Sequence, residues 1–153
     1  MRKRIFAVAA LTLATLSSTT SVQTASAAGP TYWMFSDGTS DCLTEYSTGV
    51  IRLANCTGGT AQQWNWINSD WNSPYRLLKN RWTGDCLVAP QNYWEDIKSG
   101  SCDDWTSRQW SIDSSTATPI ASAQGGYVEE TPGSDHVRLS INWNAAWWKT
   151  QMS

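Results

Sequence analysis

The sequence predicts an all-β protein built from three repeats of about 40 residues each. An Asp-Cys-Leu triplet occurs at residues 41–43 and again at 85–87, and a glutamine–tryptophan pair follows each about 20 residues later. Apolar and polar residues alternate over short stretches such as 136–141, which is the period of a β-strand. No stretch of ten or more residues keeps its apolar positions at helical spacing, and turn-forming residues separate the short strands.

The first 27 residues predict a secretory signal peptide. Arg2, Lys3 and Arg4 precede an apolar run of 12 residues, and the Ala-Ser-Ala triplet at 25–27 has the form of a cleavage site. A membrane-spanning helix needs about 20 apolar residues, so cleavage is favoured over the alternative of a short membrane anchor. We therefore expect a secreted, extracellular protein with a single domain over residues 28–153 and no membrane span.

The composition of residues 28–153 excludes several classes of function. They hold 13 acids and 8 bases, a net charge of −5, so a basic patch for nucleic acid and a polybasic run for anionic membranes are both lacking. The single histidine, His136, excludes a multi-histidine metal site, and we expect neither metal nor cofactor. All 11 tryptophans lie in these residues, and such side chains either fill cores or form surface platforms that stack on sugars or anchor partners.

The repeats follow one another without a linker. The first runs from the triplet at 41–43 through a Cys-Thr-Gly-Gly turn at 56–59 to Trp64, and the second from 85–87 through Cys102 to Trp110. A third copy lacks cysteines: residues 126–129 align with the Asp-Cys-Leu segment, 137–139 align with 51–53, and Trp148 closes the copy.

Four cysteines in an exported chain predict two disulfides, for which three connectivities are possible. The local pairing of Cys42 with Cys56 and of Cys86 with Cys102 is favoured, because the gaps of 14 and 16 nearly match and the surrounding residues repeat. Each bridge closes a loop of roughly 15 residues, which contributes about 3 kcal/mol in the chain-entropy model.

These motifs resemble the ricin-B-type lectin domain of secreted actinobacterial proteins, in which a Q-x-W motif occurs three times. The resemblance covers residues 32–150. It implies a β-trefoil, which is a six-stranded barrel capped by three hairpins, and it implies binding of carbohydrate. It also implies that Trp64, Trp110 and Trp148 pack in the shared core.

The resemblance further implies sugar-binding positions, and this chain keeps few of them. The family has an acid two residues after the first cysteine and an aromatic ring two residues before the second. It also has a pair of amides, at the glutamine of the Q-x-W motif and at the position just before it. Only Gln62 in the first repeat and Glu129 in the third match. The positions of the acid and of the ring in the first two repeats hold Thr44, Val88, Ala54 and Gly100.

The third repeat is the best candidate for a sugar site, because Glu129 and Glu130 lie in sequence near Asp135 and Trp143. The alternative is that the two glutamates are solvated turn residues and that Trp143 packs under a loop. A second candidate is a patch formed by the remaining tryptophans in polar, turn-rich segments, although each alone is more often half-buried; they are Trp71, Trp82, Trp94 and Trp105.

Catalysis is not expected. No G-x-S-x-G motif is present, and with one histidine and bridged cysteines no nucleophile–base pair stands out. Two functions therefore remain for what we expect to be a monomer. The first is binding of a polysaccharide or glycan surface with degenerate sugar pockets. The second is a β-trefoil repurposed to bind a protein partner, as an inhibitor or a toxin-accessory subunit.

Overall fold

The computed structural model describes residues 31–38, 40–69, 74–112, 117–145 and 147–152. The expected signal peptide and Trp71 lie outside these residues. Within them the chain forms β-strands and three single 3-10 turns, and no helix is long and apolar enough to cross a membrane. The strands are β1 (Trp33–Ser36), β2 (Asp41–Ser47), β3 (Val50–Asn55), β4 (Trp64–Ile67), β5 (Leu77–Asn80), β6 (Cys86–Val88), β7 (Lys98–Gly100), β8 (Trp110–Ser111), β9 (Ala117–Pro119), β10 (Ala121–Ser122), β11 (Tyr127–Glu130), β12 (Val137–Ser140) and β13 (Trp147–Met152).

All paired strands are antiparallel and form two sheets. The larger has the order β3-β2-β1-β4-β5-β6-β7, with β13 joining β1 to β9, and the smaller has the order β12-β11-β10-β8. The hairpins β2–β3, β6–β7 and β11–β12 each come from one repeat. Backbone bridges from Arg52 to His136 and from Asp96 to Arg138 join the hairpins to one another, so the three lie together at one end of the molecule.

The core is built around three tryptophans, one from each repeat. Trp64 and Trp110 are fully buried and Trp148 is 2% exposed. Each indole N–H donates to a backbone carbonyl oxygen of its own hairpin, which satisfies the one polar atom of a buried tryptophan. The three bonds are Trp64 to Leu43 at 3.0 Å, Trp110 to Leu87 at 2.9 Å and Trp148 to Val128 at 2.7 Å. The predicted all-β fold of three repeats is confirmed, including the repeat that has no cysteines.

The two disulfides have the favoured local pairing. Cys42 is bonded to Cys56 and Cys86 to Cys102, with Cα–Cα distances of 5.0 Å in both bridges. Each bridge ties the first strand of a hairpin to the segment that follows its second strand. The bridges therefore hold the turns that lead from the hairpins of the first two repeats to Trp64 and Trp110.

Candidate ligand-binding clefts

A cleft of about 440 Å³, here the first cleft, opens beside the hairpin of the first repeat. Its walls come from β2, from the end of β3 and from residues 57–62. Trp82 is added by the turn between β5 and β6, which leads into the hairpin of the second repeat. Each turn that leads into a hairpin is counted with the repeat of that hairpin. The Trp82 and Tyr46 side chains are both 53% exposed. Two half-exposed aromatic rings therefore face a cleft that otherwise offers polar and backbone groups.

Gln62 forms part of this cleft, and its amide is used within the chain. Its Oε1 accepts hydrogen bonds from the backbone N–H of Thr57 at 2.8 Å and of Gly58 at 3.2 Å. Its Nε2 donates to the Asn55 carbonyl at 2.8 Å and to the Thr44 hydroxyl at 3.1 Å. Gln62 thus holds the turn against β3, and the direct sugar contact expected of it stays a prediction.

Glu45 is a buried acid at the edge of the first cleft. It is 1% exposed, and its carboxylate accepts hydrogen bonds from the Thr83 hydroxyl at 2.5 Å and from the Ser99 hydroxyl. Burial raises the pKa of Glu45, the two hydroxyl contacts lower it, and the charge of Asp85 raises it further. Because Thr83 follows Trp82, this contact fixes the turn that carries the Trp82 ring.

A second cleft of about 540 Å³ occupies the equivalent place in the second repeat. Trp105 lines it and is 71% exposed, more than any other large hydrophobic residue described. Arg108 lies 5.8 Å from the Trp105 ring centre and forms an ion pair with Asp103 at 2.9 Å. The turn before β11, in the third repeat, adds Gln124, whose side-chain amide donates to the Pro90 carbonyl.

The two clefts are thus related by the internal repeat. Thr44 and Val88 occupy matching positions on β2 and β6, and each cleft is completed by a turn from the following repeat. Both clefts also contain an exposed tryptophan, although Ala54 and Gly100 stand where the family resemblance implies a ring, and the two tryptophans occupy different positions of the repeat. In this chain the exposed rings lie in loops: Trp82 follows β5 and Trp105 precedes the 3-10 turn Thr106–Arg108.

In the third repeat Glu129 is buried and forms an ion pair. It is 4% exposed, and its Oε2 lies 3.2 Å from Nε of Arg138, the residue opposite it on β12. The Arg138 guanidinium lies 4.7 Å from the centre of the Trp94 ring. Glu129 therefore contacts a cation within the chain, and the sugar contact expected of it stays a prediction.

Asp135 and Trp143 lie at opposite ends of β12. Asp135 is exposed at the tip of the β11–β12 hairpin, beside His136, whose Nδ1 is 2.8 Å from Asp96. Trp143 is 52% exposed in the 3-10 turn Trp143–Ala145. The four residues of β12 separate them by about 13 Å at about 3.3 Å per residue. The sugar contacts expected of Asp135 and Trp143 stay predictions.

Other acids lie near Glu130 in the third repeat. Burial raises the pKa of Glu130, and the charges of Asp37 and Asp41 raise it further. Among the described residues there is no group of three or more His, Cys, Asp or Glu side chains that could hold a metal ion.

Comparison with known proteins shows the fold and no more. No family model and no curated protein sequence matches the chain. Among solved structures it is similar to the designed threefold-symmetric protein ThreeFoil, with a TM-score of 0.64 and 18% identity over 78% of this chain and 96% of that one. It is also similar to the BEL β-trefoil, with a TM-score of 0.67 and 9% identity over 82% of this chain and 94% of that one. The chain folds as a β-trefoil.

A third similar structure is the cytolethal distending toxin of Haemophilus ducreyi, with a TM-score of 0.63 and 16% identity. The match covers 77% of this chain and 81% of that one. In this β-trefoil the three hairpins form the cap, and the first and second clefts open at their sides.

Proposed function

We propose that this β-trefoil is a secreted, ricin-B-like lectin that binds neutral carbohydrate in its first and second clefts. Trp82 and Trp105 are the stacking platforms. The observation that carries the proposal is that one strongly exposed indole lies in each of two clefts related by the internal repeat. Exposed aromatic rings grouped in concave surfaces mark ligand sites, and single exposed rings elsewhere do not.

The chemistry of the clefts supports a sugar. An indole face stacks on the apolar C–H face of a sugar ring, while nearby hydroxyl, amide and backbone groups hydrogen-bond its hydroxyl groups. The first cleft offers Thr60 and the backbone of residues 57–61, and the second offers Gln91 and Ser107. Volumes of about 440 and 540 Å³ lie in the range of small-ligand sites.

The charges favour a neutral ligand. In the second cleft the charge of Arg108 is balanced by Asp103, and the acid Asp104 also lines the cleft. Among the described lining residues of the first cleft, the only acid is the buried Glu45. An acidic sugar would meet no unpaired cation in either cleft. A neutral sugar needs only the ring and the hydrogen-bonding groups that both clefts provide.

The direct test is calorimetric titration with neutral xylo- and galacto-oligosaccharides, comparing the parent with Trp82→Ala, Trp105→Ala and the double variant. We expect each single variant to weaken binding and the double variant to abolish it. Trp82→Phe should restore most of the affinity, because it keeps a stacking face. Ile141→Ala is the control, since Ile141 is 59% exposed and lines neither cleft. Unchanged binding by the double variant would exclude both clefts.

One observation favours the alternative of a protein partner. Six exposed tyrosine and tryptophan residues of the described chain lie outside the core, and aromatic residues of this kind are enriched at the centres of protein interfaces; they are Tyr46, Trp82, Tyr93, Trp94, Trp105 and Trp143. If the parent protein bound no glycan on a broad array, the protein-partner function would be the better explanation of these rings.

A further inference from the structure

The loop between β6 and β7 presents two neighbouring aromatic rings outside the first and second clefts. Tyr93 is 44% exposed and Trp94 is 52% exposed. Trp94 has a φ of 71°, and among the described residues every other positive φ belongs to a glycine. A side chain with a Cβ is unfavourable in this conformation, so the surrounding contacts must hold it there.

Those contacts fix the Trp94 backbone against the third repeat. The Trp94 N–H donates to the Leu139 carbonyl at 2.7 Å, and the Leu139 N–H donates to the Glu95 carbonyl at 3.0 Å. Within the loop, the side-chain amide of Asn92 donates to the Glu95 carboxylate at 2.8 Å. The exposed ring is therefore held in place before any ligand arrives, which lowers the entropic cost of binding.

One face of the Trp94 ring is covered from within the molecule. The Arg138 guanidinium lies 4.7 Å from the ring centre, and Arg138 is itself held by the buried carboxylate of Glu129 at 3.2 Å. Since about half of Trp94 is nevertheless exposed, the opposite face is open to solvent. Trp94 is thus a supported ring with one free face, as a stacking platform requires.

Tyr93 connects this ring to the second cleft. A Cβ placed on Gly125 would lie 3.0 Å from the Tyr93 hydroxyl, and one on Gly126 would lie 2.9 Å from a carbon of its ring, so Tyr93 lies directly on these glycines. The preceding residue, Gln124, lines the second cleft with Trp105. Tyr93 therefore lies against the two residues that follow Gln124, one wall of the second cleft, and Trp94 is the next residue along the chain.

We propose that Tyr93 and Trp94 form a further subsite, which binds the continuing part of a neutral polysaccharide whose first sugars occupy the second cleft. This inference rests on the proposed function. The charge of Arg138 is balanced by Glu129, and the exposed Glu95 lies next to Trp94, so a polyanionic chain would be repelled. Short sugars fill the cleft alone, and only longer chains reach Trp94.

The test is the dependence of affinity on chain length, measured by calorimetry with xylo- and galacto-oligosaccharides of two to eight units. The variant is Trp94→Asn, because asparagine tolerates a positive φ and keeps the loop conformation. Val50→Asn is the control, since Val50 is 36% exposed, lies in the hairpin of the first repeat and lines neither cleft. We expect Trp94→Asn to weaken the longest chains about three- to tenfold and to leave the disaccharides unchanged.

Each other outcome counts against the subsite. Equal losses for short and long chains would mean that the substitution acts on the second cleft, and no loss for long chains would mean that Trp94 does not contact them. A change in self-association, measured by sedimentation, without any change in glycan affinity would make Trp94 a protein contact instead. If the parent bound no oligosaccharide of any length, the proposed function would fail and the subsite with it. The first three results leave the proposed function standing.

Discussion

The indole N–H of Trp148 donates to the backbone carbonyl of Val128 at 2.7 Å, in the one repeat that no disulfide closes. Equivalent hydrogen bonds join Trp64 to Leu43 and Trp110 to Leu87 in the other two repeats. The third repeat therefore depends on packing and on this buried bond, where the other two also have a covalent link.

Trp148→Phe should keep most of the ring packing while leaving the Val128 carbonyl without its buried donor. We expect a loss of about 1–3 kcal/mol in the free energy of unfolding. Trp64→Ala and Trp110→Ala should cost more, about 3–5 kcal/mol, because each leaves a large cavity. Urea denaturation measures both effects, with the exposed Trp143→Phe as control. A core variant with the parent's midpoint would contradict the assignment of that tryptophan to the core.

The disulfides give a second stability prediction. Replacing Cys42 and Cys56 together by serine should destabilise the fold by about 2–5 kcal/mol, and replacing Cys86 and Cys102 should do the same. Peptide mapping without reduction should recover only the two pairs within repeats. A peptide that links Cys42 to either cysteine of the second repeat would refute the pairing.

Glu45 should make stability depend on pH. Burial raises its pKa in the folded state above the ordinary value of 4.5, so the folded protein holds this proton more tightly than the unfolded chain does. The contribution of Glu45 to stability is therefore greatest below pH 4.5 and declines as the pH rises through the folded-state pKa. We expect Glu45→Gln to flatten this part of the stability profile in thermal denaturation, whereas the exposed Glu95→Gln should not. The same slope in parent and Glu45→Gln would show that the buried carboxyl does not titrate in this way.

Glu129→Ala should affect glycan binding through Arg138. Removing the acid leaves Arg138 without its partner and frees the guanidinium that supports Trp94. We expect a loss of about 3–5 kcal/mol in stability, as for a broken buried ion pair, and weaker binding of long oligosaccharides by an order of magnitude. Lys149→Ala is the control, since Lys149 is exposed, charged and lines neither cleft. Long-chain affinity equal to that of the parent would separate Glu129 from glycan recognition.

The repeat and the disulfides were predictable because they depend on residues close in sequence. A cysteine, its partner and the next core tryptophan lie within about 25 residues of one another, so matching spacings identified the first two copies. The third copy was predictable without cysteines because Val137 and Leu139 alternate as Ile51 and Leu53 do.

The clefts were not predictable in the same way, because chain segments far apart in sequence form them. Trp82 faces the first cleft although it belongs to the second repeat, and Thr83 reaches Glu45 across 38 positions. Glu45 also breaks the alternation of β2: residues 42–45 are all buried, and the register shifts between Glu45 and Ser47. Asp135 and Trp143 lie on either side of strand β12, so their proximity in sequence alone does not place them in one site.

Each cleft takes its last wall from the following repeat: Trp82 completes the first cleft, and Gln124 completes the second. An isolated repeat would therefore have no complete cleft. Under the proposed function, a binding site would therefore form only where two neighbouring repeats pack against each other. A ligand bound in either cleft would contact two neighbouring repeats at once. Its binding would therefore depend on the packing of the two repeats against each other more directly than on the folding of either one.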